Sequence, residues 1–290
     1  PVEGKTNVFN IVRAGGNAED GYNMLGYRDG KDNAFSLSYN VVDTDMKNAQ
    51  SEANQWMLIS KKELDEMMAT ATEENPVAAT HLIKNPGFDQ RLEVNVNYNM
   101  GKGTNDNGDE SAGLQIWDRG GNHPDFVLEA WNCTTGDVTM DIWDPGVIPG
   151  WYTLSAQIYY RDGRFEDHAA KYLAGEALNH NASLIAGFDD NIVKGDIPFI
   201  TDCANQAPGL GRLDATGTLR YPDACWSAAE EYFQNGLYWS KPILFEITED
   251  GMMTIGFEKS DFTKYDWVVA DNFRLTYYGK NKPTAIEGVE

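Results

Sequence analysis

The chain is poor in the residues from which metal, redox and nucleic-acid sites are usually built. Three cysteines, Cys133, Cys203 and Cys225, stand among 290 residues. They form no CxxC pair and share no zinc spacing with histidine, and three are too few for a disulfide scaffold. Cys203 and Cys225 flank one loop-rich segment and could pair, leaving Cys133; three free thiols are the equal alternative. The four histidines, His81, His123, His168 and His180, are isolated, and neither HExxH nor GxSxG occurs. Basic residues are scarce: 23 Lys and Arg face 45 Asp and Glu, a formal net charge of -22. Such a surface repels phosphate backbones, anionic membranes and polyanionic sugars, so no nucleic acid is expected as a partner. No apolar run approaches the roughly 18 residues of a spanning helix, so no membrane insertion is expected. Pro1 is not an initiator residue and nothing near it has the form of a signal peptide. We expect a piece of a larger multidomain protein.

What the chain does have is short runs of strand-like residues separated by Gly, Asn and Asp. Residues 1–59 hold four of them, at 8–12, 22–25, 35–39 and 55–59. About sixty residues is short for a complete β core, so this part is truncated or leans on a neighbour. Ser60-Lys61-Lys62-Glu63 has the form of a capping box, and a short helix should follow with Leu64, Met67 and Met68 on one side. Pro76 favours an extended or turn conformation at Asn75. The expected organisation is a small β-rich segment with a linker helix over 1–75, a β domain over 80–280 and a tail over 281–290.

Within 80–280, residues 101–113 are a loop by composition, and 126–131 a strand. Val138, Met140 and Ile142 alternate with Asp137, Thr139 and Asp141, a half-buried strand. Tyr152, Leu154, Ala156, Ile158 and Tyr160 alternate with Thr153, Ser155, Gln157 and Tyr159, the clearest amphipathic strand of the chain. Residues 162–223 lack periodicity and suggest a long insertion. A helix over 224–234, ended by Gly236, should follow. Strands at 243–247 and 253–257, joined at Glu249-Asp250-Gly251, then form a hairpin. In the last strand Val269, Phe273, Leu275 and Tyr277 share the period of one buried face. No helix–strand alternation points to a parallel sheet, so the fold class is all-β and antiparallel.

Four stretches carry a family resemblance. They are Leu82–Asp89 (LIKNPGFD), Pro149–Gly163 (PGWYTLSAQIYYRDG), Tyr232–Tyr238 (YFQNGLY) and Trp267–Gly279 (WVVADNFRLTYYG). Together they resemble galactose-binding-like jelly-roll modules, akin to carbohydrate-binding modules, found in secreted and surface proteins of Bacteroidetes-type bacteria. Residues 1–59 loosely resemble the closing part of a β-trefoil or other lectin-like domain. The resemblance implies a jelly-roll sandwich with its first and last strands close together. It implies an extracellular or cell-surface location and non-catalytic carbohydrate binding, as an accessory module of a larger glycan-degrading protein. It also implies a structural calcium held by Asp89 and Asp271, and core positions for Tyr232 and Phe233. The chain departs from the pattern at 101–113 and 162–223, where specificity resides, so the ligand does not carry over. The alternative is a structural spacer or protein-adhesion domain. A glycoside hydrolase is less expected, since no spacing singles out a pair of carboxylates.

Sugar rings present an apolar C–H face with a rim of hydroxyls, so a site wants flat aromatics beside polar side chains. The expected partner is therefore a neutral oligosaccharide or polysaccharide. Trp143 lies on the polar side of its strand, and Gln157 and Tyr159 on the polar side of theirs. With Arg161 these four form one platform if the strands are neighbours; if the insertion covers that face, they are core residues. Trp117 and Trp131 flank a loop containing Asp118, Arg119, Asn122 and His123, a candidate loop-end site. Trp226 and Trp239 flank the expected helix and should pack.

Overall fold

The computed structural model describes residues 59–88, 96–117, 127–207 and 209–286, with Leu114, Gln115 and Trp117 described by their backbone. Four short strands are also described within residues 1–58. The chain divides into two compact units, Pro1–Met67 and Met68–Glu290. In the first, β1 (Val8–Phe9) pairs antiparallel with β4 (Trp56–Met57), and β2 (Gly26–Tyr27) with β3 (Leu37–Ser38). The rest of the four expected strands lies outside the described residues.

The capping box forms as expected. The Ser60 N–H donates to Glu63 Oε2 at 2.7 Å, the Glu63 N–H donates to Ser60 Oγ at 3.2 Å, and α1 (Lys61–Thr70) follows. Of its three apolar residues, Met68 is buried and Met67 exposed.

Among the described residues, the strands of the second unit form two antiparallel sheets packed as a sandwich. One runs in the order β15 (Ile243–Ile247), β10 (Gly150–Arg161), β17 (Trp267–Tyr277), β8 (Val127–Trp131), β7 (Gly113–Trp117), with β5 (Val77–Ala78) also on β17. The other runs β12 (Asn191–Asp196), β11 (Ala182–Phe188), β16 (Met252–Lys259), β9 (Gly136–Trp143), β6 (Val96–Tyr98). Val138, Met140 and Ile142 point inward from β9, as their alternation predicts. The opening motif meets the last strand. The Phe273 N–H donates to Pro86 O at 2.8 Å, and the Phe88 and Phe273 rings pack edge to face at 5.9 Å.

Four expectations are corrected. First, β15 and β16 are no hairpin: the chain between them crosses from one sheet to the other. Second, the last strand has no single buried face. Gln157 pairs with Asp271 but Ser155 with Arg274, so β17 carries a bulge, with Asn272 at φ 49°. An extra residue reverses the alternation. Val269, opposite Tyr159, therefore faces away from the sandwich core, whereas Leu275, opposite Leu154, faces into it.

Third, β10 is buried on both sides. Its even-numbered residues face the second sheet. On the other side, Gln157 and Tyr159 lie under a layer built from α2 (Phe165–Ala174), the segment 197–221 and a helical run over 225–235 that begins as α3 (Cys225–Ser227) and ends at Gly236 with φ 71°. Ile200, Leu219, Tyr221, Ala228, Tyr232 and Phe233 pack from this layer against Val127, Tyr159 and Val269. Fourth, the 162–223 segment is no mere insertion, since it supplies both β11 and β12. It also holds the short pair β13 (Arg212–Leu213) and β14 (Arg220–Tyr221).

One end of the sandwich is closed by charge. Lys259, on the inner face of β16, reaches Asp266, just before β17, with 2.5 Å between Nζ and Oδ2 and both side chains fully enclosed. Lys259 Nζ also donates to Cys133 O. Loop 101–113 is pinned to the same end. Asn132, at φ 51°, accepts the Tyr265 N–H at 2.7 Å and donates to Ser111 O.

Candidate functional site

Antiparallel pairing places directly opposed residues on the same face of a sheet. Trp131 of β8 opposes Trp267 of β17, and Trp267 opposes Arg161 of β10. Two tryptophans and a guanidinium thus form one row across three adjacent strands, on the face turned away from the second sheet. The next row holds Glu129, Val269 and Tyr159. The covering layer buries Val269 and Tyr159 completely but stops short of the first row. A cleft of about 260 Å³ remains there, lined by Glu129, Trp131, Arg161, Asp223, Ala224, Cys225 and Trp267.

Each lining group is held in place. Trp267 forms the floor at 3 % exposure, and its Nε1–H donates to Glu129 Oε1 at 2.7 Å. The Arg161 guanidinium lies 5.0 Å from the centre of the Trp267 ring. Its Nε and Nη2 donate to the carbonyls of Gly163 and Tyr265, both at 2.9 Å. Enclosure holds the Arg161 pKa below its ordinary value, opposed by the Tyr159 and Tyr221 phenols and then by Asp266 and Glu129. Trp131 is half-buried and packs at 5.9 Å against Tyr265, whose other contacts include the Arg164 guanidinium at 4.0 Å. Burial, reinforced by Glu129, pushes the Cys225 thiol far above its usual range, so it stays protonated and unreactive. The cleft offers aromatic surface, carboxylates at Glu129 and Asp223, and a guanidinium. That set suits hydrogen bonding to hydroxyls beside an apolar ring face.

The residues expected from the sequence are dispersed. Trp131 and Arg161 meet in the cleft. Tyr159 and Gln157 share that sheet face but are fully buried beneath the covering layer, so the exposed four-residue platform does not assemble. Gln157 is a structural clip. Its Nε2 donates to Phe233 O at 2.7 Å and Leu237 O at 2.9 Å, and its Oε1 accepts from Asn272 Nδ2 at 2.8 Å. Trp143 belongs to the other sheet, where it is 70 % exposed beside a hollow of about 20 Å³, room for about one water. The side chain of Trp117 and the loop it borders lie outside the described residues, as does Asp89. Asp271 is buried, with Oδ1 accepting from the Asn272 N–H at 2.7 Å and Oδ2 from Asn272 Nδ2 at 3.0 Å. All three cysteines are free thiols.

Sequence reasoning missed Glu129, Trp267 and Asp223. The available signal was the two-residue spacing of Glu129 and Trp131, which puts both on one face of a strand. Trp267 carried no signal beyond its place at the start of the last strand, because its importance arises from register.

No family model and no curated protein matches the chain. Among solved structures, the chain is similar to TmCBM61 in complex with beta-1,4-galactotriose, at 11% identity and a TM-score of 0.33, covering 67% of this chain and 96% of that one. It is also similar to a protein of Bacteroides thetaiotaomicron described as a candidate sugar-binding protein, at 10% identity and a TM-score of 0.26, covering 60% and 86%.

Proposed function

We propose that the second unit is a non-catalytic carbohydrate-binding module for neutral oligosaccharides or polysaccharides, with the cleft between Trp131 and Cys225 as its site. The observation that carries this reading is the row of Trp131, Trp267 and Arg161 beside the covered middle of the sheet face, with Glu129 and Asp223 next to it. A sugar ring stacks on Trp131, and its hydroxyls exchange hydrogen bonds with the carboxylates and the guanidinium. The site is preformed, so little ordering entropy opposes binding. The reading extends to a jelly-roll fold of the galactose-binding-like type and to an accessory role in a secreted or surface glycan-degrading protein. It includes a structural calcium that ties the Asn85–Phe88 turn to the bulge of β17 through Asp89 and Asp271.

The test is a titration, followed by tryptophan fluorescence and calorimetry, with β-1,4-linked trioses of glucose, mannose, xylose and galactose. At least one should bind with an affinity that changes little with salt, because no net charge is neutralised. Trp131→Ala should weaken it by a factor of about 30 or more, as expected when a central aromatic contact worth about 2 kcal/mol is truncated. If no neutral sugar binds at millimolar concentration, or if the Trp131→Ala variant binds as the parent does, the reading fails and a spacer or adhesion role gains.

A further inference from the structure

We propose that the cleft recognises the end of a glycan chain, and that the rest of the chain leaves over Gly113; this rests on the carbohydrate-binding reading above. Three sides of the cleft are closed by named groups. Along the strands, the second row is blocked over β17 and β10, because Val269 and Tyr159 have no exposed surface and the covering layer begins with Ala224 and Cys225, and on β8 the half-buried Glu129 is held by the Trp267 Nε1–H. Beyond Arg161 the backbone turns away at Asp162 and Gly163, where the guanidinium is tethered, and Phe165 opens the covering layer, itself buried. Along the strands the other way, Tyr265 packs against Trp131 at 5.9 Å and its carbonyl accepts from Arg161 Nη2 at 2.9 Å, while the floor is Trp267, at 3 % exposure.

The fourth side is different. Trp131 is opposed on its outer side by Gly113, at the start of β7, which is the edge strand among the described residues. A side chain at Gly113 would share the face of Trp131, yet a Cβ built there meets no atom of the described residues within 4 Å. The glycine's φ lies outside the left-handed region, so no backbone strain demands glycine here. A continuous polysaccharide has to leave a site at two places, whereas among the described residues this cleft opens along one path, from Arg161 across Trp267 and Trp131 to Gly113. At about 260 Å³ it is also small for a ligand pocket, which commonly spans about 300–1,000 Å³. It suits one terminal sugar, with the next unit over Trp131.

Two experiments test this. The first uses the wild-type protein and the polysaccharide matching whichever triose binds best. Light cleavage by an endo-acting hydrolase multiplies chain ends at constant mass. Bound protein per gram should rise in proportion to the new ends; an unchanged capacity would show internal binding and overturn the proposal while leaving the cleft as a sugar site. The second uses Gly113→Leu, checked for a wild-type melting temperature. It should weaken the triose about tenfold or more, towards the affinity of the monosaccharide, and leave the monosaccharide unchanged. Equal weakening of both, or of neither, overturns the exit path. If Gly113→Leu does not fold, the count of ends decides by itself. Failure of the wild-type protein to bind any of the sugars overturns this proposal together with the reading beneath it.

Discussion

Two buried groups should give this protein opposing responses to acid, and replacing one should expose the other. His168 has no exposed surface. Its Nδ1 accepts the Asp162 N–H at 3.2 Å, and Nε2 lies 3.2 Å from Thr201 Oγ1. Burial lowers its pKa to about 4; the Asp162 carboxylate opposes the shift, and Arg161 and Lys171 add to it. Asp266 is pushed up to about 6, because burial outweighs the attraction of Lys259, with Asp162 adding to the rise. Between about pH 4 and 6.5 the unfolded chain protonates its histidine while folded His168 stays neutral, so this group adds stability as pH rises. Between about pH 4 and 6 folded Asp266 keeps a proton that the unfolded chain has lost, so this group removes stability as pH rises. At 1.36 kcal/mol per pKa unit each effect amounts to about 3 kcal/mol, and in the wild type they largely cancel. His168→Gln removes the first and leaves the second. Urea unfolding of both proteins across pH 4 to 6.5 should show the variant losing about 3 kcal/mol relative to wild type as pH rises, with all other groups cancelling in the comparison. A difference that stays constant across this range would refute the argument, since enclosure of a neutral imidazole would then not govern its titration.

Gln157→Ala should destabilise the fold by about 2–3 kcal/mol in denaturant titrations, because it strands the Leu237 carbonyl and takes one of two partners from the Phe233 carbonyl and the Asn272 amide. A loss of sugar affinity without loss of stability would instead restore Gln157 as a ligand contact. Trp143→Ala, on the opposite sheet, should change stability by no more than about 0.5 kcal/mol and leave sugar binding intact; lost binding would move the site to that sheet. Calcium should raise the melting temperature, a chelator should reverse the gain, and Asp271→Ala should abolish the response. Equal melting temperatures with and without calcium would remove the ion from the account.

Much of the architecture was legible where pattern and period agree. The capping box at Ser60–Glu63, the alternation of Val138, Met140 and Ile142, and the helical stop at Gly236 each depend on neighbours in sequence. The meeting of Phe88 with Phe273 followed from matched opening and closing motifs. What escaped depends on pairing. The bulge at Asn272 adds one residue to one strand, and no local pattern reveals which face Val269 then takes. The covering layer lacks periodicity because much of it is irregular, and so the burial of Gln157 and Tyr159 stayed open. Two of the seven residues that line the cleft, Trp131 and Arg161, were named from the sequence. The rest emerges from the register of β8, β17 and β10, which brings together residues more than one hundred positions apart.

The bulge in β17 also acts as a ruler. A strand with one wet face finds its register by hiding its apolar side, but the middles of β10 and β17 have no wet face to guide them. There a slip of one residue would still bury hydrophobic groups. It would, however, drag Asp271 and Asn272 away from Gln157 and part Asp266 from Lys259. The few polar groups in these strands are thus pegs that admit a single alignment. Swapping them all for well-packed apolar residues would raise the attraction between strands and remove the reason for choosing one alignment, and with it the guarantee that Trp131, Trp267 and Arg161 stand abreast.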